Sequence, residues 1–255
     1  MGEAILETRD LSKEFKGFAA VSNVNLSVRK GSIHALIGPN GAGKTTFFNL
    51  VTKFLPPTTG SIWFKGQDIT HEPAAASARR GFVRSFQISA TFHHLTALEN
   101  VRIGLQRKLG THYHFWKSER SLDSLNGEAM HLLDEVGLAD FAQTVVAEMP
   151  YGRKRALELA TTLALDPEMI LLDEPTQGMG QEDIARVVGL IRKAAADRTV
   201  LMVEHNLSVV ANLCDRITVL TRGSVLAEGS YEEISSNPQV LEAYVGSNDM
   251  NDAHH

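Results

Sequence analysis

The sequence predicts an α/β fold in which a mostly parallel sheet is interrupted by a helical insertion. Apolar runs, typical of parallel strands buried on both faces, occupy residues 33–37, 169–172 and 199–203, and the run 169–172 is continuous. Amphipathic runs with helical periodicity alternate with them. Between residues 88 and 149 the strand signals vanish, and they return after Pro150. We therefore expect a sheet-based core with one inserted helical subdomain.

A glycine-rich motif, residues 38–46, follows the first apolar run and precedes an amphipathic run that begins at Thr46. It matches G-x-x-x-x-G-K-[ST] in the strand-loop-helix context that this motif requires. Its glycines let successive backbone N–H groups converge on an anion at a helix N-terminus. The alternative is a glycine-rich turn that caps an ordinary helix, and the flanking runs favour a phosphate-binding loop.

Two side chains of this phosphate loop have distinct predicted roles. Lys44 would reach the β- and γ-phosphates of a nucleotide, and the Thr45 hydroxyl would bind the Mg²⁺ that bridges them. The predicted nucleotide-binding residues of the loop are Gly38, Pro39, Asn40, Gly41, Ala42, Gly43, Lys44, Thr45 and Thr46.

The composition excludes several classes of protein. The 255 residues have 43% apolar and 22% charged residues, which is ordinary for a globular protein. A net charge of -5 without a basic block argues against a nucleic-acid partner. The single cysteine, Cys214, excludes an internal disulfide. No apolar run approaches a membrane span and residues 1–10 lack a signal-peptide core, so we expect a cytoplasmic protein that reaches a membrane only through partners.

The other elements follow from local patterns. Alternating residues predict strands at 5–8 and 21–28, ahead of the phosphate loop. A helix should run from Gly43 to about Phe54, because the prolines at 56–57 cannot continue it. Further strands are predicted at 61–64, with a turn at 65–68, and at 81–86, ending at Gln87.

The insertion and the second half of the chain are read in the same way. Helical periodicity is strongest at 98–109 and 129–136, on either side of a polar stretch at 110–125. After Pro150 we expect helices at 151–165, 183–196 and 240–245 and strands at 217–220 and 225–227. The predicted divisions are 1–87 for the first part of the core, 88–150 for the helical subdomain, 151–246 for the rest of the core and 247–255 for a flexible tail.

Chemistry-bearing residues follow two of the buried strands. Asp173 and Glu174 come directly after the run 169–172, and His205 follows the run 199–203. Ligands bind at the carboxyl edge of such sheets. Asp173 would then hold Mg²⁺, Glu174 would orient and polarise an attacking water, and His205 would hydrogen-bond the γ-phosphate. A lone histidine at a strand end is more often structural, but its neighbours at this edge favour function.

The order of these motifs resembles the ATP-binding subunits of ABC transporters over nearly the whole chain. The matching segments are the phosphate loop at 38–46, Gln87, a helical subdomain, a signature at 149–153, the run 170–175, a D-loop at 177–180 and His205. The resemblance implies a P-loop NTPase core with a mostly parallel central sheet, an antiparallel β subdomain and an inserted α-helical subdomain.

The resemblance also implies roles that the residues alone leave open. Strand periodicity favours Phe15 as a core residue, whereas the resemblance makes it the aromatic that stacks on adenine. Gln87 would sense Mg²⁺ and the γ-phosphate at the hinge to the helical subdomain. The implied catalytic residues are Glu174, His205, Gln87 and Lys44, and the implied metal ligands are Thr45, Gln87 and Asp173.

Four segments narrow the resemblance to the ATPases of branched-chain amino-acid uptake systems: 49–52, 68–70, 84–87 and 237–246. The same branch includes urea or amide importers, and the ATPase of the lipopolysaccharide exporter is a near relative. We therefore expect an importer for branched-chain amino acids or related small polar solutes, with an exporter ATPase of that type as the alternative.

Two positions depart from the family pattern. Pro150 stands where the signature usually has a serine that contacts ATP on the opposite subunit. Proline suits the start of a helix and leaves the amides of Tyr151 and Gly152 to meet that phosphate. Gly180 stands where the D-loop usually has an aspartate that links the two ATP sites, so that link is in question while hydrolysis is not.

The resemblance implies an Mg²⁺-dependent ATPase coupled to transport. Its partners would be a second ATPase subunit, identical or a related paralogue, and integral membrane permease subunits on the inner face of the cell membrane. An importer would add an external solute-binding protein. Two rival interpretations are a non-transport ABC ATPase, which would carry a second nucleotide domain or a long coiled coil, and a regulatory module that binds ATP without turnover, which Pro150 alone favours.

Overall fold

A computed structural model describes residues 3–85, 91–106 and 123–245, with only the backbone of Val245. The strands are β1 (Ala4–Phe15), β2 (Phe18–Arg29), β3 (Ile33–Ile37), β4 (Thr59–Phe64), β5 (Gln67–Asp68), β6 (Phe82–Ser85), β7 (Met169–Asp173), β8 (Thr199–Val203), β9 (Arg216–Thr221) and β10 (Ser224–Gly229). The helices are α1 (Lys44–Val51), α2 (Ala74–Arg79), α3 (Ala97–Leu105), α4 (Asn126–Glu135), α5 (Tyr151–Leu163), α6 (Gln181–Ala194), α7 (Leu207–Leu213), α8 (Tyr231–Ser235) and α9 (Pro238–Val245).

The central sheet has the strand order β10-β9-β3-β8-β7-β6. The five strands β9, β3, β8, β7 and β6 are parallel to one another, and β10 pairs antiparallel with β9 at the edge of the sheet. Every residue of β3 and β8 is buried, as expected for strands covered on both faces. The three apolar runs are therefore adjacent strands, and their carboxyl ends lie side by side at one edge.

A second sheet is antiparallel and has the order β2-β1-β4-β5. In β2 every second residue from Val24 to Val28 is buried, while the residues between them are exposed. This face packs with α1 and one side of the central sheet in a core that includes Phe47, Phe48 and Phe64. The antiparallel sheet therefore covers the helix that follows the phosphate loop.

The described residues of the predicted insertion include helices α3 and α4. A capping box fixes the start of α3. The Thr96 hydroxyl accepts a hydrogen bond from the Glu99 amide, and the Glu99 carboxylate accepts one from the Thr96 amide. Helix α3 packs closely on α5 at Gly104. A Cβ added there would lie only 2.8 Å from the Ala164 Cβ and 3.1 Å from the Thr161 carbonyl oxygen. None of the helices in the described ranges is both long and apolar enough to cross a bilayer.

The structure corrects the interpretation of Phe15 as a core residue. Its side chain is 43% exposed, with the Lys13 ammonium 5.3 Å from the ring centroid. Strands β1 and β2 are each 12 residues long, and both are exposed near the turn that joins them. The strand pattern continues there after the buried part of the sheet has ended, so periodicity alone overestimates burial.

Several short elements lie outside the predicted ones. Strand β5 and helices α2, α7 and α8 have between 2 and 7 residues, too few for a clear periodic signal. The predicted strand at 81–86 and helix at 98–109 both extend beyond the described residues, which contain β6 and α3. Residue Gln87 and the predicted tail at 247–255 also lie outside them, and the predicted domain divisions remain predictions.

A buried polar chain crosses the central sheet at His34 of β3. The imidazole Nε2 lies 2.8 Å from Thr218 Oγ1, whose hydroxyl donates to Glu228, so Nε2 carries the proton and donates. The other ring nitrogen, Nδ1, has no hydrogen-bond partner among the residues that the structure describes. Burial lowers the pKa of His34 to about 4; Glu228 opposes this shift, and the positive charges of Arg216 and Arg29 add to it.

This histidine should make the fold sensitive to acid. In the unfolded chain His34 binds a proton below about pH 6.5, whereas the folded chain resists protonation until about pH 4. The free energy of unfolding should therefore fall by about 3 kcal/mol as the pH drops through that window and should be unaffected by His34 above it. Urea denaturation from pH 4 to 8 of the wild type beside His34→Gln measures the difference.

An exposed histidine provides the control for this experiment. His131 lies on α4 with 71% of its side chain accessible, and His131→Gln should keep the acid dependence of the wild type. If the free energy of unfolding fell equally with pH in the wild type and in His34→Gln, the prediction would be contradicted.

Candidate nucleotide site

The phosphate loop joins β3 to α1 and depends on glycine at two tight positions. Gly38 and Gly43 have φ values of +148° and +97°. A Cβ at Gly38 would lie 2.1 Å from the Leu220 carbonyl oxygen, and one at Gly43 would lie 2.4 Å from the Ala20 carbonyl oxygen. Gly43 is also the N-cap of α1 and supplies no side-chain cap, so the first amides of the helix depend on other acceptors.

The side chain of Lys44 folds into this loop. Its ammonium group donates to the carbonyl oxygens of Gly38 at 2.6 Å and Pro39 at 3.0 Å, and the residue is buried. A cradle of backbone amides with a buried ammonium fits the polyphosphate of a nucleotide.

Two strand ends bring Glu174 and His205 into contact. Glu174 Oε1 lies 2.5 Å from His205 Nε2, and the Glu174 amide donates to the Val203 carbonyl oxygen at 2.9 Å. Both side chains line the same cleft of about 280 Å³ as the phosphate loop. The residues lining this cleft, called the phosphate cleft below, are Phe18, Ala20, Asn40, Gly41, Ala42, Gly43, Lys44, Thr45, Thr46, Glu174 and His205.

The carboxylate of Asp173 is held by an arginine that sequence reasoning did not single out. Arg84 of β6 donates to Asp173 at 2.6 Å, and the two side chains are only 14% and 9% exposed. The same guanidinium donates to Asn49 of α1 and to Thr52, the C-cap of that helix. It also lies 5.2 and 4.9 Å from the ring centroids of Phe48 and Phe54. Arg84 thus joins β6 and β7 to the helix that follows the phosphate loop.

The signature segment lies outside the phosphate cleft of its own chain. Helix α5 begins at Tyr151, directly after Pro150 as its N-cap. The Tyr151 hydroxyl donates to the Gln177 carbonyl oxygen at 3.2 Å. Gly152 faces α6, because an added Cβ would lie 2.8 Å from Asp183 Oδ1.

The basic first turn of α5 interacts within the chain. The Arg153 guanidinium stacks 3.6 Å from the centroid of Phe141, Lys154 donates to the Ala147 carbonyl oxygen, and Arg155 pairs with Glu158 at 2.8 Å. Arg153 and Lys154 therefore contact the segment 141–147 and Arg155 contacts its own helix, and none of the three lines the phosphate cleft.

Comparison with known proteins decides the family. A family model described as ABC transporter matches residues 21–177. The chain belongs to the ABC transporter family. A second model, described as branched-chain amino acid ATP-binding cassette transporter, matches residues 224–249 of this ABC cassette.

Curated relatives align with the ABC cassette along nearly their full length. The chain is 38% identical to the high-affinity branched-chain amino acid transport ATP-binding protein BraF of Pseudomonas aeruginosa, covering 96% of this chain and 99% of the relative. It is 36% identical to the corresponding protein LivG of Escherichia coli, with the same coverage. A solved ATP-binding cassette of an ABC transporter in its ADP conformation superposes with a TM-score of 0.83 at 29% identity, covering 96% of this chain and 99% of that one.

These comparisons confirm the predicted fold class and the family resemblance, and as an ABC cassette the chain is a nucleotide-binding ATPase. The roles of single residues remain predictions. Loop residues 40–46, Glu174 and His205 converge in the phosphate cleft, whereas Asp173, Tyr151 and Gly152 lie outside its lining and Gln87 lies outside the described residues.

Sequence reasoning missed three neighbours of the site. Phe18 lines the phosphate cleft, Arg84 pairs with Asp173, and Glu204 binds both strand ends. The available signals were a charge within the short strand β6 and a carboxylate directly after the buried strand β8. Neither signal identifies its partner, because the contacts span long stretches of sequence.

Proposed function

We propose that the chain is the ATP-hydrolysing subunit of an importer for branched-chain amino acids or related small polar solutes. The main support for ATP hydrolysis is that Lys44, Glu174 and His205 converge in one cleft. The match of residues 224–249 to the branched-chain family model and the names of the relatives support the substrate class. The same relatives favour import over the exporter alternative.

In the proposed reaction the phosphate loop holds ATP through its backbone amides and Lys44. Glu174 orients and polarises a water for in-line attack on the γ-phosphorus, and His205 hydrogen-bonds the γ-phosphate. Their mutual hydrogen bond holds both side chains beside the loop. Mg²⁺ bound by Thr45, Asp173 and Gln87 would neutralise charge on the phosphate oxygens, and the oxygen donors of this set suit that ion.

A complete site requires a second subunit. Tyr151 and Gly152 are outside the cleft of their own chain, and Tyr151 is 40% exposed, which suits contact of the start of α5 with ATP on another copy or a paralogue arranged head to tail. Pro150 leaves the amides at this helix start to meet the phosphate. Permease subunits in the membrane, and an external solute-binding protein for import, complete the proposed assembly, with the chain on the cytoplasmic face.

Two measurements test the proposed function. Purified protein should release phosphate from ATP with Mg²⁺ and stop when EDTA is added; release that ignores EDTA would contradict the Mg²⁺ requirement. In the organism that encodes this chain, deletion of its gene should abolish high-affinity uptake of leucine, isoleucine and valine. Unchanged uptake of all three would contradict the proposed substrate class.

Two residues, Phe15 and Phe18, are candidates for the aromatic side chain that contacts the base. Phe15 and Phe18 are paired across the β1–β2 turn, and only Phe18 lines the phosphate cleft, with 69% of the residue exposed. We expect Phe18→Ala to weaken ATP binding about fivefold to tenfold, the loss of one base-aromatic stack. Phe15→Ala is the matched control with an expected effect below about twofold, on the basis that a lone exposed contact contributes little.

Titration calorimetry with ATP, without Mg²⁺ to prevent turnover, measures both variants. A larger loss for Phe15→Ala would restore the adenine role that the family resemblance implies for Phe15.

A further inference from the structure

Glu204 is a buried carboxylate that directly precedes His205. It is 3% exposed, and both of its oxygens are occupied by uncharged donors. One oxygen accepts from the amide and the hydroxyl of Thr176, at 3.1 and 2.5 Å. The other accepts from the amides of His205 and Asn206, at 2.9 and 3.1 Å.

These four bonds join the ends of two strands. Thr176 follows β7 two residues after Glu174, and it begins the segment that leads through the D-loop to α6. His205 follows β8 and contacts Glu174 at 2.5 Å. Glu204 therefore binds the backbone of His205 directly, and it binds Thr176, which lies two positions after Glu174.

We propose that Glu204 is a positioning residue for hydrolysis, which sets the separation between Glu174 and His205 and ties that pair to the D-loop. This inference rests on the proposed roles of Glu174 and His205. The bonds between Thr176 and Glu204 connect the residue that directly precedes the D-loop to the site, a link that Gly180 within the D-loop has no side chain to make.

Only a carboxylate satisfies this arrangement. Four donors converge on the group, and an ionised carboxylate is an acceptor at both oxygens. A glutamine of the same size would turn its amide N–H groups toward at least one pair of donors. Bonds to a charged acceptor are also stronger and more directional than bonds to a neutral one, which suits a group that fixes a distance.

The test separates positioning from simple structural support. Glu204→Gln should lower kcat at least about tenfold, since small displacements of reacting groups cost one to two orders of magnitude. The KM for ATP should stay within about twofold, because the side chains lining the phosphate cleft are unchanged. Comparable losses in kcat and in ATP affinity would instead indicate general damage to the fold and would overturn the proposal.

A pair of variants at Thr176 provides the second test. Thr176→Val removes the hydroxyl that binds Glu204, whereas Thr176→Ser keeps it. The valine variant should share the kcat defect and the serine variant should restore turnover to near the wild-type value. An equal defect in both, or wild-type kcat in Glu204→Gln, would overturn the proposal.

Glu174→Gln, measured in parallel, tests the proposed function itself. If that variant is inactive and Glu204→Gln is not, only the inference about Glu204 fails. If Glu174→Gln remains active, the proposed role of Glu174 fails, and the comparison of Thr176→Val with Thr176→Ser still decides whether Glu204 positions His205.

Discussion

Replacing Glu174 with glutamine should lower ATP turnover by about a hundredfold to ten-thousandfold, the range in which a general base contributes, while ATP binding persists. The glutamine keeps the size of the side chain but cannot polarise water as a carboxylate does. The phosphate loop and Lys44, which hold the nucleotide, are unchanged. Phosphate release measures the loss, and calorimetry measures the retained binding.

Because the variant keeps ATP uncleaved, it should also accumulate the proposed head-to-tail dimer. Size measurement by light scattering with and without Mg²⁺ and ATP shows this directly. Glu168→Gln is the matched control, since Glu168 lies just before the other end of β7, half-exposed and paired with Lys65 at 2.6 Å. This control should keep normal turnover.

Two outcomes would contradict these expectations. Turnover in Glu174→Gln close to that of the wild type would exclude Glu174 as the group that activates water. A protein that stays monomeric with bound ATP would count against a site completed by the signature of a second chain.

Among the substitutions considered, the largest expected effect on stability at neutral pH comes from Arg84→Met. Methionine can fill the apolar space between Phe48 and Phe54, but it leaves the buried carboxylate of Asp173 without the guanidinium that now lies 2.6 Å away. Removing one partner of a buried ion pair typically costs 3–5 kcal/mol, so we expect the free energy of unfolding to fall by about 3 kcal/mol. Urea denaturation without nucleotide, in EDTA, measures the loss.

An exposed pair of an arginine and a carboxylate is available as the control. Arg9 pairs with Glu7 at 3.0 Å and stacks 4.3 Å from the Trp63 centroid, but both charged side chains are substantially exposed. Arg9→Met should therefore cost less than about 1 kcal/mol. Equal losses for the two variants would mean that burial adds nothing to the Arg84–Asp173 pair.

The parts of the fold that the sequence predicts are those with a local pattern. The buried strand β8 coincides with its apolar run, and β3 does so as well, because strands covered on both faces consist mainly of apolar residues. Strand periodicity alone places Phe15 in the core, and this is wrong because the β1–β2 hairpin keeps its strand conformation beyond the core. Helix α8 carries a capping box at Ser230 and Glu233 that could have revealed it.

The same limit applies to the site. The phosphate loop is one contiguous motif with its own geometry, and Glu174 and His205 follow recognisable strands. The bonds from Arg84 to Asp173 and from Thr176 to Glu204 join residues 89 and 28 positions apart. Nothing local distinguishes Arg84 or Glu204 from a solvated charge, so only the three-dimensional arrangement assigns them a partner.

The missing side chain at Gly104 has a mechanical consequence. Helix α5 has 13 residues and is about 20 Å long, with its C-terminal end pressed against α3 and Tyr151 at the other end. Since no gap at Gly104 can absorb sliding, a force on α3 is delivered to α5. We therefore expect a displacement of α3 to carry α5 with it and to move Tyr151, at the end of α5 that the proposed dimer places near a second nucleotide.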